Sequence, residues 1–220
     1  MPKKRLLFIV NADWFFLSHR LPIAKEAINQ GYEVHIATTI TNNLNLLKEN
    51  GLIVHPLKLH RSRTSLISII AEFKEIFDII RFVVPSIVHL VTIKPVLLGG
   101  IASRLLNIPA VVYAVSGLGY VFLKKGVISF FTRKVVIYLY RLAFRHKNKC
   151  VIFQNMDDQL SLTRLSFLSS NEVELINGSG VDLSVFTRQP FNSGVPIIIL
   201  AARLLKDKGV QEFVDAAKLV

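Results

Sequence analysis

The chain has 220 residues, of which 51% are apolar and 19% are charged, and its formal net charge is +12 at pH 7. This apolar fraction can fill a globular core, and the low charged fraction excludes an intrinsically disordered chain. A surface this basic attracts phosphate groups, whether they belong to nucleic acid, anionic lipid or nucleotide. The single cysteine, Cys150, excludes an internal disulfide bond and is typical of a reducing compartment.

The sequence predicts neither a signal peptide nor a membrane span. The first apolar run, Leu6–Val10, is too short for a signal peptide, and the polar residues Asn11 and Asp13 follow it. The longest uncharged stretch, 105–123, is interrupted by Pro109 and by glycines. We therefore expect a soluble or peripheral protein of the cytoplasm.

Short apolar runs alternate with helical patterns as far as residue 180. Strands are predicted, in chain order, at RLLFIV, YEVHIATT, IVHPLKL, SIVHLVT, AVVYAVSG, CVIFQN and EVELI. Helices are predicted between them at LPIAKEAINQG, NNLNLLKENG, SLISIIAEFKEIFDIIRFV, VLLGGIASRLLN, VISFFTRKVVIYLYRLAFRH and DDQLSLTRL. This alternation predicts an α/β fold with a doubly wound, Rossmann-like parallel sheet.

A second pattern begins near the end of the chain. The segment TRQPFNSGVP has the composition of a linker, and an apolar strand, Ile197–Ala202, and a helix are predicted after it. We expect one domain over residues 1–187. Residues 188–220 would then hold a linker and the first strand and helix of an incomplete second domain.

The loops after the strands are the candidate functional regions, because ligands of such folds collect at the carboxyl ends of the strands. The first loop, NADWFFLSHRLPIA, lacks the glycine pattern of a dinucleotide site. Ser18 is placed to cap the next helix, and Arg20 beside His19 suits a phosphate or a sugar hydroxyl. Helix capping with solvated charges is the alternative interpretation.

Two basic side chains belong to the predicted strand SIVHLVT or follow it. Lys94 comes directly after the strand in an apolar stretch, where lysine is rarely buried unpaired. It is either a functional cation or a side chain that extends its amine to water. His89 lies within the strand, and the pattern favours a core histidine over a catalytic one.

Two later loops contain glycine. Gly117 and Gly119 allow close approach of a ligand or form a tight turn. In INGSGVDLSVF, residues Asn177, Gly180 and Asp182 belong either to a segment that crosses between domains or to an ordinary Asn-Gly turn.

The segment ARLLKDKGV places two cations around a turn that opens a helix. Arg203 offers a planar set of donors and Lys208 a mobile charge, and the amides of the helix start lie nearby. A diphosphate could be held there, although a solvated basic turn has the same pattern.

The predicted helix over 126–147 is rich in both basic and aromatic residues, and it either lies in a membrane interface or packs on the sheet with its charges in water. A nucleic-acid partner is not expected, because the basic residues are not interleaved with aromatic ones and no standard binding module is present. The six histidines show no ligand spacing, so no metal site is predicted.

Four of these segments together resemble a known family. SHRLPIAKEAINQGYEVHIAT, TIKPVLLGGIASRLLNIPAVVYAVSGLGYVF, INGSGVDLSVF and AARLLKDKGV occur in the order found in bacterial glycosyltransferases of family four. The resemblance is greatest to the subgroup that builds polysaccharide and lipid-linked oligosaccharide repeats. It implies the N-terminal half of a GT-B fold, in which two Rossmann-like domains face each other across the active site.

The resemblance also implies an activity and its partners. The reaction is retaining transfer of a sugar from a nucleotide-sugar donor, usually a UDP-sugar, without metal or other cofactor. The acceptor is a saccharide or a sugar on undecaprenyl diphosphate. This places the protein at the inner face of the cell membrane, in peripheral contact with an anionic membrane surface.

Site residues follow from the resemblance position by position. Arg203 and Lys208 match the pair that clamps the donor diphosphate and stabilises charge on the departing nucleotide. Gly117 and Gly119 match the loop that faces the cleft and the donor.

The remaining matches concern the acceptor and the crossover. Lys94 lies in the Thr-Ile-Lys-Pro segment, with a catalytic or acceptor-binding role. The other acceptor-binding residues are His19, Arg20 and Tyr120, and the crossover residues are Asn177, Gly180 and Asp182. Many family members carry a histidine near this Thr-Ile-Lys-Pro loop, and Ile93 occupies that position here.

The chain also departs from the family pattern, which continues for about 100–200 residues, roughly one further domain. That part supplies the nucleotide pocket and a Glu-rich motif. We therefore expect the 220-residue chain to be inactive alone, or active only with a separately encoded donor domain. The alternative is a membrane-peripheral binding or assembly subunit of a split transferase, without catalysis of its own.

Overall fold

The computed structural model of the protein describes residues 3–59, 65–118, 127–166, 168–184, 186–188, 190 and 194–219. The chain forms two compact units, Met1–Gly180 and Val181–Val220. The boundary expected from the sequence lies further along, after residue 187.

A seven-stranded sheet forms the centre of the first unit. Its strands are β1 (Arg5–Val10), β2 (Glu33–Thr38), β3 (Ile53–Pro56), β4 (Ile87–Val91), β5 (Ala110–Val115), β6 (Lys149–Phe153) and β7 (Val173–Leu175). All neighbouring strands are parallel, in the order β3-β2-β1-β4-β5-β6-β7. The predicted Rossmann-like, doubly wound sheet is therefore confirmed.

The continuous apolar character of β1 follows from its position inside the sheet. Leu7 and Ile9 pack on one face of the sheet, and Phe8 and Val10 pack on the other. Because helices cover both faces here, neither set of side chains meets water, and no polar alternation is needed.

The helices divide between the two faces. One face carries α1 (Asp13–His19), α2 (Leu21–Asn29) and α3 (Leu44–Glu49), whose buried residues join the core around Phe8. The opposite face carries α4 (Leu66–Val83), α5 (Gly100–Leu105), α6 (Val127–Ala143) and α7 (Met156–Ser166), whose buried residues join the core around Leu7. Over β5 and β6, the first face keeps half-exposed side chains, among them Val112 and Ile152.

Helix α1 differs from the sequence prediction, which expects Ser18 to cap the helix that follows. Ser18 instead lies inside α1, and its hydroxyl donates to the carbonyl oxygen of Trp14 at 2.9 Å. The buried carboxylate of Asp13 ties the start of α1 to the loop after β2, because it accepts the hydroxyl of Thr41 at 2.6 Å and the backbone N–H of Asn43 at 3.2 Å. Burial raises the pKa of Asp13, but the hydrogen bonds from Thr41, Trp14 and Asn43 outweigh it and hold the pKa below its ordinary value.

A π-helical turn, Pro95–Gly99, precedes α5 and packs tightly against the sheet. A Cβ atom on Gly99 would lie 2.5 Å from Cδ2 of Leu90, and one on Gly100 would lie 2.6 Å from Cε1 of Tyr113. The paired glycines therefore allow the helix to approach the strands more closely than any other residue would.

The second unit contains α8 (Val210–Ala217), preceded by a short 3-10 turn, Lys206–Lys208. The strand predicted at Ile197–Ala202 is not formed, and no strand occurs in the described residues of this unit. Since a strand is defined by hydrogen bonds to a neighbouring strand, an apolar run without one stays irregular. Ile197, Ile198 and Ile199 are each more than three-quarters exposed.

Within the part of the chain that the structure describes, every helix is too short or too polar to span a bilayer.

Candidate functional site

The strand order places a crevice beside β1. The chain moves outward from β1 through β2 and β3, and then returns to β4 on the other side of β1. Loops at the carboxyl ends of β1 and β4 therefore separate, and a ligand site is expected at this switch point.

A pocket of about 310 Å³ opens at this edge, on the face that carries α1 and α2. Its walls come from the α1–α2 junction, from β4, β5 and β6, and from the loop after β7. The lining residues are His19, Arg20, Pro22, Ile23, His89, Ala114, Ile152, Gln154, Ile176, Asn177, Gly178, Ser179 and Gly180. No acidic side chain occurs among these described residues.

Arg20 is enclosed at the junction of α1 and α2, with 6% of its surface exposed. One terminal nitrogen, Nη1, donates to the carbonyl oxygen of His19 at 3.1 Å and to Oγ of Ser179 at 3.3 Å. Among the residues that the structure describes, the buried Nε atom has no hydrogen-bond partner. Burial without a counter-charge lowers the pKa of Arg20, and such a cation is costly unless an anion joins it.

His89 forms a second buried polar wall of the pocket, with 7% of its surface exposed. Its ring lies against Phe8, with 4.9 Å between the ring centroids, and Nε2 has no hydrogen-bond partner. Burial, followed by the positive charge of Arg20, lowers the pKa of His89 to about 3. His89 is therefore a neutral imidazole at physiological pH.

The loop after β7 closes the third side. Gly178 and Gly180 have φ angles of +71° and +69°, a backbone conformation that favours glycine. None of the four backbone N–H groups of residues 177–180 donates to an acceptor in the described part of the chain. Asn177 and Gly180, predicted as crossover residues, thus line the pocket. Asp182 belongs to the second unit, where its carboxylate accepts the N–H of Ser184 at 2.9 Å.

His19 lies at the rim of the pocket and is partly exposed. Its ring stacks on Phe15 with 4.2 Å between the ring centroids, and Nδ1 lies 2.6 Å from Oγ of Ser18. These contacts fix the plane of the imidazole. His19 and Arg20 both line the pocket, and their predicted acceptor-binding role stays a prediction.

Lys94 lies outside this pocket and forms a buried ion pair. Its Nζ atom donates to both carboxylate oxygens of Glu72 on α4, at 3.0 and 2.9 Å, and Glu72 is 3% exposed. The preceding Thr92 has a φ angle of +74°, which is a strained value for a β-branched residue. The predicted catalytic or acceptor-binding role of Lys94 stays a prediction.

The other predicted residues are distributed as follows. Gly117 follows β5 with a φ angle of +136°, so only glycine is comfortable there. Gly119 and Tyr120 lie outside the described residues. Arg203 and Lys208 are exposed in the second unit, and their donor-binding role stays a prediction.

In the described part of the chain, no group of histidine, cysteine, aspartate or glutamate side chains is arranged to hold a metal ion.

His89 is buried, as the sequence pattern favours, but its place in the wall of the pocket is not predicted from the sequence. The signal for that place is the register of β1 and β4, in which Phe8 and His89 are partners at the switch between these strands. The contact of the Ser179 hydroxyl with Arg20, from a loop far along the chain, is also not predicted.

Comparison with known proteins decides the family. The family model described as glycosyl transferase 4-like matches residues 5–155. The chain belongs to the glycosyl transferase 4-like family. This confirms the resemblance drawn from the sequence segments. The match includes α1, α2 and β4, and hence Arg20 and His89.

A curated relative is N,N'-diacetylbacillosaminyl-diphospho-undecaprenol alpha-1,3-N-acetylgalactosaminyltransferase from Campylobacter jejuni. It is 23% identical, and the match covers 98% of this chain and 60% of the relative. This glycosyl transferase 4-like chain therefore spans little more than half the length of the relative.

Solved structures share the fold at low identity. HepE from Anabaena, in complex with UDP and glucose, has a TM-score of 0.58 and 16% identity, covering 84% of this chain and 47% of that one. MurG from Acinetobacter baumannii has a TM-score of 0.52 and 17% identity, covering 83% and 47%. A glycosyltransferase from Rickettsia africae has a TM-score of 0.55 and 15% identity, covering 100% and 51%.

The low pKa of His89 leads to a pH-dependent stability. The ordinary value of 6.5 applies to the unfolded chain, whereas the folded value is about 3. As the pH falls below 6.5, the unfolded chain therefore binds a proton that the folded chain does not, and stability is lost. Between pH 7 and pH 5, wild type should lose about 2 kcal/mol of unfolding free energy more than His89→Phe.

Urea denaturation followed by the fluorescence of Trp14 measures this difference, because the only tryptophan lies in the first unit. Comparison with the variant cancels the titration of all other groups. Equal losses for the two proteins would mean that His89 is solvated in the folded chain.

Proposed function

We propose that the first unit supplies the acceptor side of a glycosyltransferase, which transfers a sugar from a UDP-linked donor to a lipid-linked or saccharide acceptor. The observation that carries this proposal is the pocket at the switch point, whose described lining residues include a buried cation and no carboxylate. Family membership supports the reaction class. The Campylobacter relative, named for a diphospho-undecaprenol acceptor, supports the acceptor, and the UDP bound to HepE supports the donor.

The second unit contributes the beginning of the donor side in this proposal. Arg203 and Lys208 are exposed cations on either side of a turn that leads into α8. Their charges would stabilise the diphosphate as the nucleotide departs, without a metal ion. The rest of the donor side would then belong to the part of the Campylobacter relative that the match does not cover.

The outer face of α6 supports peripheral attachment to the inner face of an anionic membrane. Phe130, Phe131, Val135 and Tyr138 are each more than half exposed. Exposed basic residues lie among them, and Nζ of Lys134 lies 4.5 Å from the ring centroid of Phe130. Exposed aromatic groups enter the headgroup region, while each nearby basic residue adds about 1 kcal/mol on an anionic surface.

The start of α4 adds to this surface. Leu66, Ile67 and Ile70 are each at least two-thirds exposed. Helices that connect parallel strands run back across the sheet, so α4 and α6 both begin at the carboxyl edge of the strands. Attachment through these helix starts would bring the edge that carries the pocket towards the lipid.

The proposal that this chain binds the acceptor but does not complete the donor side can be tested with the purified chain. We expect the chain to bind a short-chain polyprenyl diphosphate N-acetylglucosamine in isothermal titration calorimetry. We also expect it to transfer no radiolabelled sugar from UDP-N-acetylgalactosamine or UDP-glucose to this acceptor.

Transfer by the chain with no other polypeptide present would contradict the proposed division. Absence of acceptor binding would contradict the acceptor-side assignment. It would favour an assembly subunit, and recovery of transfer by a partner polypeptide would then identify the enzyme.

The membrane proposal predicts vesicle binding that depends on α6. The chain should sediment with vesicles of phosphatidylglycerol and phosphatidylcholine, and less with phosphatidylcholine alone. The double variant Phe130→Ser, Phe131→Ser should weaken binding about tenfold or more, because two aromatic side chains no longer leave water.

Phe82→Ser is the matched control, because Phe82 is 77% exposed near the opposite end of α4. Equal effects of the control and the double variant would show that α6 is not the attachment surface.

A further inference from the structure

We propose that the pocket binds a diphosphate group, with Arg20 as its counter-charge and His89 and the loop after β7 as neutral hydrogen-bonding partners. This inference rests on the proposed function in one respect, which is the identity of the compound that carries the diphosphate. The unpartnered polar atoms of the pocket are the observations that carry it.

The buried guanidinium identifies the charge of the ligand. Arg20 is more than nine-tenths buried, its Nε atom has no partner, and no carboxylate lies among the residues that line the pocket. Its two hydrogen bonds go to neutral oxygens of His19 and Ser179. A cation held in this way favours an anionic ligand, since hydrogen bonds between ions are about twice as strong as those between neutral groups.

The neutral partners identify the shape of the ligand. His89 lines one wall, and its buried Nε2 atom has no hydrogen-bond partner among the described residues; residues 177–180 line another, and their backbone N–H groups donate to no acceptor in the same part of the chain. Residues of the α1–α2 junction, of β4 and of the loop after β7 thus line the space on several sides, and each brings polar groups that lack a partner in the described part of the chain. A tetrahedral phosphate group offers acceptor oxygens in all these directions, whereas a planar carboxylate offers them in one plane.

The diphosphate has two sources in the proposed reaction. It belongs to the nucleotide-sugar donor or to the lipid-linked acceptor, and both present the same pair of phosphate groups. A pocket of about 310 Å³ also leaves room for the first sugar or isoprene unit. Inorganic pyrophosphate is the probe that carries the shared chemistry alone.

The test measures pyrophosphate binding to the full chain by isothermal titration calorimetry. Arg20→Met should weaken binding about tenfold or more, because a charge-assisted contact is lost. Lys25→Met removes one positive charge from the exposed side of the same helix, α2, and should leave binding nearly unchanged. Arg20→Lys keeps the charge but loses the planar set of donors, and should fall between wild type and Arg20→Met.

Thermal unfolding without ligand separates a binding role from a structural one. A buried cation without a counter-charge is unfavourable, so Arg20→Met should raise the Tm while it weakens pyrophosphate binding. His89→Phe should do the same, because it replaces a neutral buried nitrogen that lacks a hydrogen bond with an apolar ring. A lower Tm for both variants with unchanged pyrophosphate affinity would overturn the proposal. Failure of wild type to bind pyrophosphate would also overturn it.

Competition then assigns the source. Displacement of pyrophosphate by farnesyl diphosphate but not by UDP supports an acceptor diphosphate, and the reverse supports a donor diphosphate. Displacement by neither compound contradicts the proposal. If the chain binds pyrophosphate through Arg20 but does not bind the lipid-linked sugar, the diphosphate site is supported and the proposed acceptor-side function is contradicted.

Discussion

A guanidinium group enclosed without a carboxylate is the constraint on which this account of the pocket depends. Arg20 is held by a backbone carbonyl and by the hydroxyl of Ser179, and both are neutral. Burial, and then the positive charge of Arg20, lower the pKa of the neighbouring His89. Folding would retain such a cation at a cost in stability, which an anionic ligand would offset.

The topology of the sheet creates the space around this arginine. Helices α1–α3 pack on one face and α4–α7 on the other, so the first face is left partly uncovered where the strands continue from β4 to β7. The α1–α2 junction enters this space from one side and the loop after β7 enters it from the other. Family membership supports glycosyl transfer as the reaction class, while the unpartnered polar atoms indicate that the ligand supplies hydrogen-bonding groups.

The fold could be predicted from the sequence because each strand and helix has its own local pattern of apolar residues. The continuous apolar strands and the helices between them predict a parallel sheet, and the observed strands follow these segments closely. The pocket could be predicted only in part. The sequence indicates His19, Arg20, Asn177 and Gly180 as separate candidates, but it does not show that they lie close together.

The place of His89 in the pocket depends on its register with Phe8 and on the hydrogen-bond partner that its ring lacks among the described residues. Neither feature can be predicted from residue type. The strand expected at Ile197–Ala202 failed because pairing, not apolar character, makes a strand.

The most direct measurement of the central claim is the NMR signal of the Arg20 Nε–H group during titration with pyrophosphate. We expect a large shift of this resonance and slower exchange of its hydrogen with water, because a phosphate oxygen would accept a hydrogen bond from Nε–H. The resonances of exposed arginines such as Arg133 and Arg164 should change little. An Arg20 Nε–H signal that stays constant while other arginines respond would contradict the account.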